Sequence, residues 1–299
     1  LSETGKALEY FNKGLNLAEQ FQFMSSVESA CTNIGGAYYS MGNINRALKD
    51  YDVVIKLDPD ESIVFSYKGM AYFDKRDYVK AINELTIAIN MAEKKINQNN
   101  SKPVSVELIP INDEEYENAG KENETIVYEA TPVDETTDEF VLKLQLTSDY
   151  GLRGRAYYLT GNKKLAINDL SKAIELLPRA RGNDLIYYLR CEINFQNMPS
   201  LGDRTLSSYY QSFLFPDINM AIELNPSNSA YYDFRSALYT YYKLCLLKEN
   251  YDNTGLFYEQ VEQKAQYDKN SADFVQLINN ITNQAEVDAK IADDLKKLR

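Results

Sequence analysis

Residues 31–59 read CTNIGGAYYSMGNINRALKDYDVVIKLDP, and 67–90 read YKGMAYFDKRDYVKAINELTIAIN. Gly35 and Gly69 stand 34 positions apart, and each is followed three residues later by a tyrosine, Tyr38 and Tyr72. A third stretch, YGLRGRAYYLTGNKKLAINDLSKAIELLP at 150–178, repeats the pattern. Its Gly154, Tyr157, Ala166, Leu170 and Pro178 take the places of Gly35, Tyr38, Ala47, Tyr51 and Pro59, and of Gly69, Tyr72, Ala81 and Leu85. Self-similarity at such a period is the mark of a chain built from stacked supersecondary units.

Within each unit the spacing predicts a helix, a turn and a second helix. Apolar residues recur at three and four, as in Ala81, Ile82, Leu85, Ala88 and Ile89, which puts a wide stripe on one helical face. Glycine inside a helix costs about 1 kcal/mol relative to alanine. Its return at one place in three copies therefore points to helices that approach too closely for a side chain. Gly42 and Gly161 fall just past the first helix, where a left-handed cap suits glycine. Pro59, Pro178 and Pro226 mark ends of second helices, which proline cannot continue.

On these residues the chain resembles the tetratricopeptide-repeat family. That signature is Trp-x-x-Leu-Gly-x-x-Tyr, then Ala-x-x-x-Phe, then Pro, at 34 residues. Cys31, Phe65 and Tyr150 stand at the tryptophan place. The resemblance implies an all-α, right-handed α-solenoid of helix–turn–helix repeats, at 28–61, 62–96 and 147–180. Two degenerate copies are expected at 184–227, with a long inter-helix loop before DINMAIELNP, and at 229–268, where YDNTGLFYEQVEQKAQ supplies the second helix. An N-terminal helix or partial repeat is expected over 1–27, with Ala7 and Phe11 in the Ala-x-x-x-Phe places, and a capping helix over 270–299.

One insertion interrupts the series. From Gly69 to Gly154 the distance exceeds one period by 51 residues, which places an acidic insertion at 97–146. VSVELIPI, TIVYEA and FVLKLQL within it have strand composition, the last alternating Phe140, Leu142, Leu144 and Leu146 with polar or smaller neighbours. A small β-rich excursion is expected, with an irregular solvated loop as the alternative.

Composition narrows function. The 299 residues include 44% hydrophobic ones, enough for a packed interior. The net charge of −12, from 32 basic and 44 acidic residues, opposes nucleic acid and anionic membrane surfaces as partners. No apolar run approaches the roughly 20 residues of a membrane span. Histidine is absent, which removes the usual general base and the commonest metal ligand. Cys31, Cys191 and Cys245 lie far apart in apolar stretches and read as packing residues. Acidic pairs such as Asp113 with Glu114, or Asp293 with Asp294, read as solvated faces rather than acid–base machinery. No cofactor or metal is expected. A cytoplasmic setting is expected, with export after loss of a leader as the alternative.

The expected function is thus a non-enzymatic scaffold or adaptor for a protein or peptide partner, with a self-assembling solenoid as the alternative and an enzyme with its site in the acidic insertion as a remoter one. The resemblance implies that the partner lies against the first helices, at Thr32, Gly36, Tyr39, Ser66, Met70, Phe73, Arg155, Tyr158, Leu159, Tyr188, Glu192, Phe195, Asp233, Ala237 and Tyr241. Of these, Tyr39, Met70, Phe73, Arg155, Tyr158, Tyr188, Glu192, Phe195 and Tyr241 are the candidate peptide-binding residues. The family's carboxylate-holding cations are replaced by Thr32, Gly36, Ser66 and Gly151, so chaperone-tail binding is not expected.

Overall fold

A computed structural model describes residues 24–100, 138–198, 206–254, 256–265 and 269–297, with a few isolated positions before residue 24. The 1–27 segment and the core of the insertion, with VSVELIPI, TIVYEA, Asp113 and Glu114, lie wholly or mostly outside the described residues. Every regular element described is helical. In chain order these are α1 (Met24–Ser40), α2 (Ile44–Leu57), α3 (Ser62–Asp74), α4 (Tyr78–Asn100), α5 (Asp138–Leu159), α6 (Lys163–Leu176), α7 (Asn183–Gln196), α8 (Leu206–Tyr209), α9 (Phe215–Leu224), α10 (Ser229–Thr254), α11 (Tyr258–Lys264) and α12 (Lys269–Lys297). A π-helical turn, Tyr210–Leu214, joins α8 to α9.

First helices α1, α3, α5, α7 and α10 pack against second helices α2, α4, α6, α9 and α12. A Cβ on Gly35 would sit 2.6 Å from Tyr51 Cε1, one on Gly69 2.5 Å from Leu85 Cγ, and one on Gly154 3.0 Å from Leu170 Cγ. Each glycine thus faces the large residue sixteen positions later. In the fourth and fifth pairs the same place holds Cys191 and Ser236. There the side chain turns the close approach into a bond: Cys191 Sγ donates to the Leu214 carbonyl at 3.2 Å, and Ser236 Oγ to that of Ala285 at 2.8 Å.

The turns after the first helices share one geometry. Gly42 and Gly161 have φ of 77° and 84°, and Arg76, at the same place in the second copy, has φ 60°. At each, two backbone N–H groups close the helix end, as in Asn43 to Tyr38 at 2.8 Å and Asp77 to Tyr72 at 2.9 Å.

A ladder of charge runs through the stack. The residue before the small place is a cation in four pairs, and it meets an acid on its own second helix. These bonds are Lys68–Glu84 at 3.1 Å, Arg153–Asp169 at 2.7 Å, Arg190–Asp217 at 2.6 Å and Arg235–Asp288 at 2.7 Å. Each cation also reaches the preceding second helix: Lys68 to Asp52 at 3.0 Å, Arg153 to Thr86 at 3.0 Å, Arg190 to Ser171 at 3.0 Å, and Arg235 to Asn219 at 2.8 Å. Every rung therefore ties two repeats together. The first copy is the exception, because Ile34 occupies the cation place. Asp50 meets only Arg46, at 3.4 Å, and its Oδ2 is buried without a partner. Burial accordingly pushes the Asp50 pKa upward.

Three expectations need correction. FVLKLQL is helical, as part of α5. Asp138 and Glu139 suit its N-terminal dipole, Glu139 pairs with Lys143 at 2.7 Å, and the residues that pack are Leu142, Leu146 and Tyr150, a period of four. The apparent alternation came from Phe140 and Leu144, and Leu144 points largely to solvent. Next, the fourth second helix begins at Leu206 rather than near 217, because the π turn absorbs extra residues while keeping Tyr210 and Leu214 buried. Finally, α10 pairs with α12, through Arg235–Asp288, rather than with 251–266; of that stretch only Tyr258–Lys264 forms a separate short helix.

Candidate interaction face on the first helices

The first helices form one side of the stack, and side chains on each reach across to the next. Tyr39 on α1 donates to Asp74 on α3. Phe73 on α3 lies beneath the Arg155 guanidinium of α5, 4.9 Å from the ring centre. Tyr158 on α5 donates to Glu192 on α7 at 3.2 Å and accepts from Gln196 at 3.0 Å. Tyr188 on α7 meets Phe234 of α10 at 5.3 Å, and Phe195 meets Tyr241 at 5.4 Å. Eight of the nine predicted residues are thereby joined in pairs between neighbouring first helices. Such aromatic contacts contribute about 0.5–1.5 kcal/mol each beyond area. The pairs shape the wall as well as line it. Burial, then the Asp74 bond, pushes the Tyr39 pKa far upward, so its phenol stays a donor.

Met70, the ninth, opens into a groove of about 430 Å³ between α3, α5 and α7. Leu144, Leu152, Leu185 and Ile186 supply its apolar lining, with Arg155 and Arg181 as its cations. Leu144 is 43% exposed there. Spacing alone did not find Leu144, Leu152, Leu185 or Ile186, and it put Leu144 within the insertion. Nor did it find Asp74 and Phe234, although each lies within one turn of an expected place.

The remaining inner-face places divide. At Gly36 an added Cβ would meet nothing within 4 Å, so the wall is open there. Leu159 and Ala237 are exposed, and Asp233 is bonded by Lys296 at 3.0 Å. Thr32 donates to its own helix, at the Glu28 carbonyl. Ser66 is not on the wall: it is buried under α5, donating to Asp149 at 2.7 Å. Gly151 is closed by Ile186, whose Cδ1 would lie 2.6 Å from an added Cβ.

The three cysteines are buried and form no disulfide. Burial pushes the Cys191 thiol well above its ordinary pKa, which makes it an inert packing group. Among the described residues no cluster of three or more His, Cys, Asp or Glu could hold a metal ion. Asp293 and Asp294 are exposed and pair with Lys296 and Lys297. No described helix is long and apolar enough to cross a membrane.

Comparison with known proteins adds a family match over two of the helix pairs. The tetratricopeptide-repeat family model matches residues 28–61 and 150–178. The crystal structure of BtubC (BKLC) from P. vanneervenii is 8% identical, with 100% of this chain and 92% of that one covered, at a TM-score of 0.52. YrrB, a tetratricopeptide-repeat protein described with an unusual peptide-binding site, is 14% identical over 97% of this chain and 100% of its own, at 0.47. MamA is 14% identical over 88% and 95%, at 0.46. No curated protein matches. Among the described residues this chain is an all-α solenoid of stacked helix pairs, two of which, within 28–61 and 150–178, match the tetratricopeptide-repeat model.

Proposed function

We propose that the chain is a non-enzymatic scaffold whose first-helix wall binds an extended peptide or a helix of a partner protein. The observation that carries this reading is the groove between α3, α5 and α7, where open apolar side chains surround a half-buried guanidinium. Apolar surface with a few fixed polar groups is what a peptide site requires. The acidic balance of −12 turns nucleic acid away, leaving polypeptide as the partner class.

Affinity capture followed by mass spectrometry, run with the full chain and with Leu144→Glu, tests the reading. Prey held by the wild type and lost by the folded variant supports it. Identical prey from both would move the contact surface elsewhere.

A further inference from the structure

Among the described residues four arginines occupy half-buried places in the stack, and three of them are matched. Arg153, Arg190 and Arg235 each hold an aspartate with two nitrogens. Arg155 differs. It rests on Phe73 in the groove, and among the described residues no carboxylate lies within the 4.0 Å of an ion pair. Burial lowers its pKa from the ordinary guanidinium value, with Asp74 and Tyr78 acting against the drop. Arg181, exposed at the same groove, is likewise without an acid among the described residues. In a chain that is otherwise acidic, the groove is therefore a local cationic spot walled by Met70, Leu144, Leu152, Leu185 and Ile186.

We infer that the groove recognises an extended segment of a partner protein in which an internal aspartate or glutamate side chain sits beside an apolar residue, the carboxylate pairing with Arg155 and the apolar side chain entering the groove. The inference rests on the peptide-binding reading above and names the chemistry of that site. Arginine presents a planar fork of donors, and stacking on Phe73 holds that fork in place, so a two-oxygen acceptor fits it better than a neutral amide. The wall continues past Arg155 on both sides, through Phe73 and Tyr39 in one direction and Tyr158 and Glu192 in the other. A bound chain therefore runs past the guanidinium, which calls for a side-chain carboxylate rather than a chain end. Asp74 and Glu192 flank the spot and would repel further acids, limiting the preference to one position.

The test is fluorescence polarisation of acetylated, amidated nonapeptides that carry one fixed leucine and a Glu, Gln or Lys scanned along the other positions. A parallel set has a free C-terminal carboxylate. Each set is measured against the full chain, Arg155→Gln, Arg155→Lys and Leu144→Glu, with thermal melts of every variant. The expected result is binding of capped Glu peptides at one spacing from leucine, about tenfold tighter than the Gln match. Arg155→Gln should abolish that tenfold difference, and Arg155→Lys, which keeps the charge, should retain part of it. A Glu preference that survives Arg155→Gln, no preference for Glu over Gln, or binding that needs the free chain end would each overturn the acid assignment alone. No binding by any peptide, or binding unchanged by Leu144→Glu, would instead remove the peptide site, and the inference with it.

Discussion

Arg153 on α5 donates to both carboxylate oxygens of Asp169 on α6, at 2.7 and 3.0 Å, and reaches Thr86 of the preceding repeat with its remaining nitrogen. Asp169 is 2% exposed. Removing one partner of such a pair leaves a buried charge alone, at a cost of about 3–5 kcal/mol. Asp169→Ala is therefore expected to lower the urea midpoint strongly. Loss of under 1 kcal/mol would show that the rung contributes little.

The first repeat offers the converse experiment. Asp50 lacks its cation because Ile34 stands in that place. Asp50→Asn alone should raise stability by about 1 kcal/mol at neutral pH, since it removes a buried charge with an unpaired oxygen. In an Ile34→Arg background the same change should be destabilising. A double-mutant cycle in denaturant reads the coupling, and a value near zero would mean that the rung does not form.

Backbone strain at Arg76 gives a third expectation. Its φ of 60° lies in the left-handed region that Gly42 and Gly161 occupy without strain, at 77° and 84°. Left-handed backbone costs a side-chain-bearing residue roughly 1–2 kcal/mol, partly offset by the greater freedom of glycine when unfolded. Arg76→Gly should stabilise by about 0.5–1 kcal/mol, and Gly161→Ala should destabilise by a similar amount, both measured by thermal melts.

Close packing at Gly69 predicts overpacking. An added Cβ would lie 2.5 Å from Leu85 Cγ and 2.7 Å from its Cδ2. Gly69→Ala should cost about 1–3 kcal/mol, and the second change Leu85→Ala, which removes the obstructing atoms, should cost less in that background than in the wild type.

Asp149, buried between α3 and α5, sets a pH dependence. Burial pushes its pKa up to about 7, against the pull of hydrogen bonds from Ser66 and Gln145 and the charge of Arg153. The folded form thus holds the proton more tightly than the unfolded chain. Stability from this group is fully present below the ordinary carboxylate pKa and falls as pH rises toward 7. Asp149→Asn should match the wild type near pH 4 and exceed it at pH 8, by a margin on the order of 3 kcal/mol. A margin independent of pH would assign the ionisation to another group.

Much of this architecture is readable along the chain. The helix pairs at 31–59, 67–90 and 150–178, the glycine contacts and the left-handed turns depend on residues within one helix pair, at most sixteen positions apart for the glycines, and local spacing encodes them. Leu144 and Phe140 show where such reading fails: seven residues of alternating character look like a strand until Leu142, Leu146 and Tyr150 are seen packing together in the core that also holds Ile89 and Ile96. The pairing of α10 with α12 fails for a related reason, since Arg235 and Asp288 are 53 residues apart and only their burial together identifies them as a rung. The inner-face places are legible one at a time, and the pairs that join them across helices are not.

By itself the sequence determined the repeat, because period, glycine and turn chemistry act within one helix pair. Only the tertiary structure decided which charges meet. Arg153 and Arg155 are two residues apart on one helix, yet one faces Asp169 and the other faces Phe73 and an open groove. Charge pairing depends on distance in space and on exclusion of water, and neither follows from position along a chain.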